Sequence, residues 1–150
     1  QPDDDRIPDS FAIAAAQGLH FTVSTGTLRG VYPNTAMLRL VGVSGRKLEV
    51  MGESIGGGRI NICRIDGITT HFGGDRNTLI VFNQDSPGHV AAVTGALSRL
   101  GINIATMQLF RSAAGGYAVM VLECDQPLPE QLRGELSALD GIIKATILNV

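Results

Sequence analysis

The stretch that decides the fold is 83-NQDSPGHVAAVTGALSRLGINIATM-107. An apolar run, Thr78–Asn83, leads into a polar cluster that ends in Pro-Gly. Val90, Val93, Leu97 and Leu100 then recur at three- and four-residue spacing, the stripe of an amphipathic helix. Asp85 or Ser86 is placed to cap that helix, Pro87 suits its first position and Gly101 its end. Isoleucines on either side of Asn103 then open a new strand, and the flanking apolar residues predict a buried amide there.

Working downstream, Ile104–Phe110 and Tyr117–Glu123 read as strands joined by 112-SAAGG-116. Pro129 starts a second helix, with Leu132, Leu136 and Leu139 inward and Gly141 closing it. Ile142–Leu148 is the last strand. The order is βαββαβ, which predicts a ferredoxin-like unit: a four-stranded antiparallel sheet with both helices on one face. The Ile104 strand is expected at the sheet edge, beside the Thr78–Asn83 strand. The helix Pro87–Leu100 spans roughly 21 Å. Asn83 and Asp85 therefore stand at one end of it and Asn103 at the other. Their convergence is expected only across a two-fold axis, through pairing of edge strands from two copies.

Upstream, the glycine-rich 73-GGDRN-77 interrupts all periodicity, so the chain divides at 74/75. Residues 1–74 read as a partial, strand-rich α+β domain and 75–150 as the βαββαβ domain. A short helix capped by Asp9 or Ser10 is expected through Gln17, closed by Gly18. Leu19–Ser24 alternates like a strand, and Thr35–Val41 and Lys47–Met51 follow. Arg59–Ile65 and Ile68–Phe72 flank Asp66-Gly67, a type I′ hairpin signal. Between them lies 54-SIGGG-58, readable as a bend or as a nest of N–H groups that takes an anion, at Ser54, Gly56, Gly57 and Gly58.

Composition narrows the function classes. A net charge of −2 leaves no basic footprint for nucleic acid or anionic lipid. No apolar run is long enough to span a bilayer. The reading therefore assigns neither nucleic acid nor membrane as a partner. Cys63 and Cys124 stand far apart without metal-ligand spacing, which points to free thiols, no metal site and a cytoplasmic location. His20, His71 and His89 are isolated and read as packing or surface residues. No catalytic constellation emerges. The chain opens with Gln rather than Met and without a leader pattern, and reads as a piece of something longer.

The segment 85-DSPGHVAAVTGALSRLGINIATMQL-109 resembles the ACT domain, a regulatory module of amino-acid metabolism, in its Asp-x-Pro-Gly start, apolar helix and Asn-Ile pair. In serine-sensing members, polar residues matching Asn83, Asp85 and Asn103 hold the amino acid at a subunit interface. Here Asp85 stands where those members have Asn. The resemblance implies an effector site at Asn83, Asp85, Gly88, Asn103 and Ile104, and a homodimer formed through these domains. Further upstream, 31-VYPNTAMLRLVG-42 and 52-GESIGGGRINICRIDG-67 resemble the β chain of iron–sulfur-dependent L-serine dehydratases. That likeness implies an allosteric-substrate-binding-like first domain and a role in converting L-serine to pyruvate and ammonia, within amino-acid metabolism and gluconeogenesis. A 4Fe–4S cluster would belong to the α chain or α region. This chain alone would be non-catalytic, with L-serine or a related amino acid as its ligand. The alternative is the regulatory tail of a D-3-phosphoglycerate dehydrogenase. RNA-recognition modules and acylphosphatases share the βαββαβ order. The first needs aromatic, basic strands and the second a basic phosphate loop, and neither is present.

Two readings stand for each site residue. Asp85 caps a helix or meets a ligand; Gly88 allows tight packing or backbone approach; Asn103 closes a turn or lines a pocket.

Overall fold

The computed structural model describes residues 4–28 and 30–150. It groups into two compact units, 1–31 and 32–150. In the first, a 3-10 turn at Ile7–Asp9 leads into α1 (Ser10–Ala16). Asp9 takes the cap position but makes no side-chain bond to the helix. Gly18 ends the turn with φ 77°, and the rings of Phe11 and Phe21 lie 4.8 Å apart. The strand expected at Leu19–Ser24 does not form. Its residues alternate in polarity, but a strand needs a ladder partner for its backbone groups. Leu19, Phe21 and Val23 stay exposed.

The second unit holds two antiparallel sheets. The first is a meander, β1 (Thr35–Val41), β2 (Lys47–Gly56), β3 (Arg59–Ile65) and β4 (Ile68–Phe72), in sequential order. Asp66 and Gly67 both take positive φ, at 48° and 82°, as a type I′ turn requires. Strand β2 runs five residues beyond the predicted Met51, because Gly52–Gly56 keeps pairing with β3 across two register shifts. The three glycines of 54-SIGGG-58 thus form the tip of the β2–β3 hairpin, each with positive φ and open space around it.

The second sheet contains β5 (Asn77–Gln84), β6 (Ile104–Arg111), β7 (Tyr117–Cys124) and β8 (Ile142–Leu148), in the order β6-β7-β5-β8. With α2 (His89–Arg99) and α3 (Glu130–Ser137) it completes the expected βαββαβ order, and the whole is α+β. One placement differs from expectation. Strand β6 is at the edge, but its neighbour is β7 and not β5. The crossover through α2 leaves a gap beside β5 that β7 fills, the split arrangement of this motif.

Strands β5 and β7 are buried on both faces. Leu79, Val81, Met120 and Leu122 pack under Val93, Leu97, Leu132 and Leu136 of the two helices. Ile80, Val119 and Val121 point the other way, onto Ile65 and Phe72 of the first sheet. Helix α2 begins two residues later than Pro87, with Gly88 as its cap. Its buried face is Val93, Ala96 and Leu97, while Val90 and Leu100 remain partly exposed. Helix α3 stops at Ser137, leaving Leu139 partly exposed.

Because Phe72 anchors the sheet-to-sheet contact, Phe72→Ala should lower unfolding free energy by about 3–4 kcal/mol, the usual cost of emptying a buried aromatic site. Urea unfolding followed by circular dichroism should remain one transition, since both sheets share that core. Two separate transitions, with only one displaced by the substitution, would show that the sheets are independent.

Candidate functional site

Asn83 sits near the end of β5, on the helix-facing side, with 3% of its surface exposed. Its amide Nδ2 donates to the Gln84 carbonyl at 2.7 Å. Only the nitrogen can donate to a carbonyl, so the amide's orientation is fixed. That leaves Oδ1 buried without a partner, the one such side-chain atom among the described residues. An orphaned buried acceptor costs about 1–3 kcal/mol and asks for a donor.

The loop that follows is held from both sides. Gln84 N–H donates to the Gly141 carbonyl and Asp85 N–H to the Gly116 carbonyl, both at 2.8 Å. The Asp85 carboxylate does not cap α2. Its Oδ2 accepts from Gly115 N–H at 3.0 Å and lies 3.5 Å from the Arg111 guanidinium. A distant turn supplies better-placed donors than the local helix end. The turn into α2 is made by Gly88, whose φ of 99° only glycine adopts without strain. A Cβ at Gly88 would meet nothing within 4 Å. Backbone conformation, and not tight packing, therefore requires glycine there, and the loop surface stays open.

His89 was not singled out by its sequence context, yet it ties this corner together. Nε2 lies 3.0 Å from the Asp140 carbonyl and Nδ1 3.2 Å from Ser86 Oγ. A carbonyl only accepts, so Nε2 carries the proton and Nδ1 receives the serine hydroxyl. The imidazole occupies the space a Cβ would need at Gly141. The Pro-Gly-His run with a distant glycine offers no local signal for this contact.

Asn103 is exposed, contrary to the reading from its isoleucine neighbours. It lies where the chain enters the edge strand, so one side has no neighbouring strand to cover it. Its Nδ2 donates to Asp125 Oδ2 at 2.6 Å, its N–H to Gln126 Oε1 at 2.8 Å, and its carbonyl accepts from Asp125 N–H at 3.1 Å. With Thr94, Ser98, Gly101, Ile102 and half-buried Ile104 it lines a shallow cleft of about 380 Å³. Asn83 pairs with Ala118 at the start of β7, and Ile104 with Cys124 at its end. Those ends are separated by roughly 20 Å of strand. Asn83, Asp85 and Gly88 therefore come together, and Asn103 with Ile104 stands apart. Ser54 and the hairpin glycines belong to the other sheet; Ser54 N–H donates to the Asn34 carbonyl at 2.9 Å.

No cluster of three His, Cys, Asp or Glu side chains able to hold a metal occurs among the described residues. Burial, then the charge of Glu53, pushes the Cys63 thiol up, and burial, then Asp125, does the same for Cys124. Both thiols are held in the protonated form, which neither ligates nor attacks well. These residues do not fit an iron–sulfur cluster. No helix is long and apolar enough to cross a membrane among the described residues.

The glycine geometry generates a test. Gly88→Ala should cost about 1–2 kcal/mol from its left-handed backbone alone. Gly141→Ala adds a clash with the His89 ring to a similar φ of 78° and should cost more. Equilibrium denaturation that ranks the two in the opposite order would refute the His89 contact.

Comparison with known proteins bears on the same corner. Residues 77–141 match the ACT domain family. A probable L-serine dehydratase β chain from Bacillus subtilis is 34% identical over 143 residues, covering 95% of this chain and 64% of that protein. The L-serine dehydratase β chain of Peptoniphilus asaccharolyticus is 29% identical over 151 residues, 100% of this chain and 68% of its own length. D-3-phosphoglycerate dehydrogenase from Synechocystis is 29% identical over 111 residues, 74% of this chain but 20% of that enzyme. The chain thus spans about two thirds of the β chains it matches. Residues 77–141 belong to the ACT domain family, and the chain as a whole is similar to the greater part of an L-serine dehydratase β chain.

Proposed function

We propose that this chain is the regulatory and assembly portion of an L-serine dehydratase, with an amino-acid effector bound at the β5–α2 loop of its ACT domain. The observation that carries the reading is the orphaned Oδ1 of Asn83. It is a buried acceptor two residues before the mostly buried carboxylate of Asp85, in a loop whose backbone is already fixed. An ammonium or hydroxyl donor is the complement it lacks, and L-serine carries both. The complete enzyme would convert L-serine to pyruvate and ammonia in the cytoplasm. Cluster chemistry would fall to an α chain or α region, since the residues here do not fit a 4Fe–4S cluster. The phosphoglycerate dehydrogenase reading is less favoured: relatives of that kind that match 92–93% of this chain are 24–28% identical and are themselves covered to 26%, whereas the first β chain is 34% identical and covered to 64%.

The proposed partner surface is the β6 edge. Met107 and Leu109 are exposed on its helix-facing side. Val90 lies on the same α2 stripe as Thr94 and Ser98, which flank the start of β6. Arg111 is the one charged residue in the strand, so little protects this edge from pairing. Antiparallel pairing of two β6 strands about a two-fold axis sets the Asn103 end of one copy against the Asp85 end of the other. The separated halves of the site would then meet.

L-serine should raise the melting temperature of the chain and D-serine much less, because a misfitting isomer leaves buried groups unpaired. At a hundredfold excess over the dissociation constant the gain is about 2.7 kcal/mol. Asn83→Ala should abolish the shift. An unchanged melting curve for the wild-type chain at tens of millimolar L-serine would rule out the effector site. Sedimentation should give a dimer that Leu109→Lys dissociates; a wild-type monomer at high concentration would refute the edge pairing.

A further inference from the structure

The corner around Asp85 holds one more charged group, on a different strand. Arg111 ends β6 and is paired across the ladder with Ala118 of β7, which is paired in turn with Asn83 of β5. The three residues form one row across three neighbouring strands. Paired residues share a face, and Leu109, Met120 and Val81, next in from this row, lie on the side of the helices. Neighbouring strands are about 4.8 Å apart, so the Arg111 and Asn83 backbones stand about 10 Å from each other. On the ladder between them stands Ala118, fully buried, with a methyl group for its side chain. The Asp85 loop folds back over this row and brings its carboxylate to 3.5 Å from the guanidinium. An unpartnered amide oxygen, a carboxylate and a guanidinium therefore border one corner.

The Asp85–Arg111 pair is poorly made. It is a single long contact, 61% of the arginine side chain is exposed, and Asp85 Oδ2 is already shared with Gly115 N–H. Arginine has five N–H donors in a planar fork suited to a carboxylate. Only one of them is engaged among the described residues.

We propose that Arg111 is the residue that selects for the α-carboxylate of the effector, through an exchange of ion pairs. This rests on the effector reading of the β5–α2 loop. With the corner empty, Arg111 and Asp85 neutralise each other. A zwitterionic amino acid replaces that one long contact with two better ones: its ammonium goes to Asp85 and the Asn83 oxygen, and its carboxylate to the arginine fork. The charge of the corner is the same before and after, so no net charge is buried. A ligand that lacks either end leaves one member of the pair without a partner and cannot complete the exchange.

The test uses the whole chain and isothermal titration with three probes: L-serine, ethanolamine, which lacks the carboxylate, and 3-hydroxypropionate, which lacks the ammonium. Wild type should bind L-serine and neither analogue. Arg111→Gln should weaken L-serine at least tenfold, with Arg111→Lys in between, since it keeps the charge and loses the fork. Melting curves without ligand should show both variants folded, and Arg111→Lys decides alone if the glutamine variant does not fold. L-serine affinity within threefold of wild type in Arg111→Gln, or ethanolamine binding as tightly as L-serine, overturns the exchange and leaves the effector reading standing. Absence of L-serine binding by wild type overturns both.

Discussion

Burial of β5 and β7 on both faces is the constraint from which the rest follows. A sheet with one apolar face needs one cover; this one needs two. Helices α2 and α3 close one side and the β1–β4 meander closes the other. Each fully buried Leu, Val or Met side chain in these strands contributes about 1.5–3 kcal/mol. Neither cover could leave without exposing a row of them. The ends of the central strands are thereby fixed, and the loop that leaves β5 starts from a rigid position.

That rigidity explains how a buried amide oxygen can remain unpaired. Asn83 cannot swing out, because its strand is clamped between β7 and β8 and its amide nitrogen is committed to the Gln84 carbonyl. The next two N–H groups are taken by Gly141 and Gly116. An unsatisfied atom held by an over-determined backbone is a form of stored cost, released when a donor arrives. The first unit shows the opposite condition. Residues 10–16 form a single short helix with nothing buried, too short to be stable from propensity alone.

Much of this was legible in the residues, and the failures have physical causes. The Asp66-Gly67 turn and the edges of β1, β3, β4 and β8 follow from local chemistry, and the sequence marks them directly. The run Thr78-Leu-Ile-Val-Phe is apolar at every step after its threonine, which already implies two buried faces, though not what covers the second. Local rules offer Asp85 as a cap because they weigh the nearest N–H groups. The donors that won, Gly115 and Arg111, arrive through tertiary structure. Apolar flanks alone misread Asn103 as buried, because they leave out the pairing of its strand, whose edge position already leaves one side uncovered. Nothing local marks Arg111 either: only the ladder reveals that it shares a row with Asn83.

The position of β6 has a consequence for regulation if two copies pair through it as proposed. The strand carries half of a site at each end, Arg111 at one and the approach from Asn103 at the other. Antiparallel pairing then builds two equivalent sites, one at each end of a single strand-to-strand contact. A ligand that bridges the copies at the first site must favour the paired state over the separated one. It also fixes the register that the second site needs, so ordering of the shared strands is done once for two ligands. Coupling of this kind is reciprocal by thermodynamic necessity. Binding and dimerisation would therefore strengthen each other, and the first ligand would raise affinity for the second without any movement of the sheets. The two-sided core is what makes this possible, because it keeps each half-site in place while the edge between them remains free to pair.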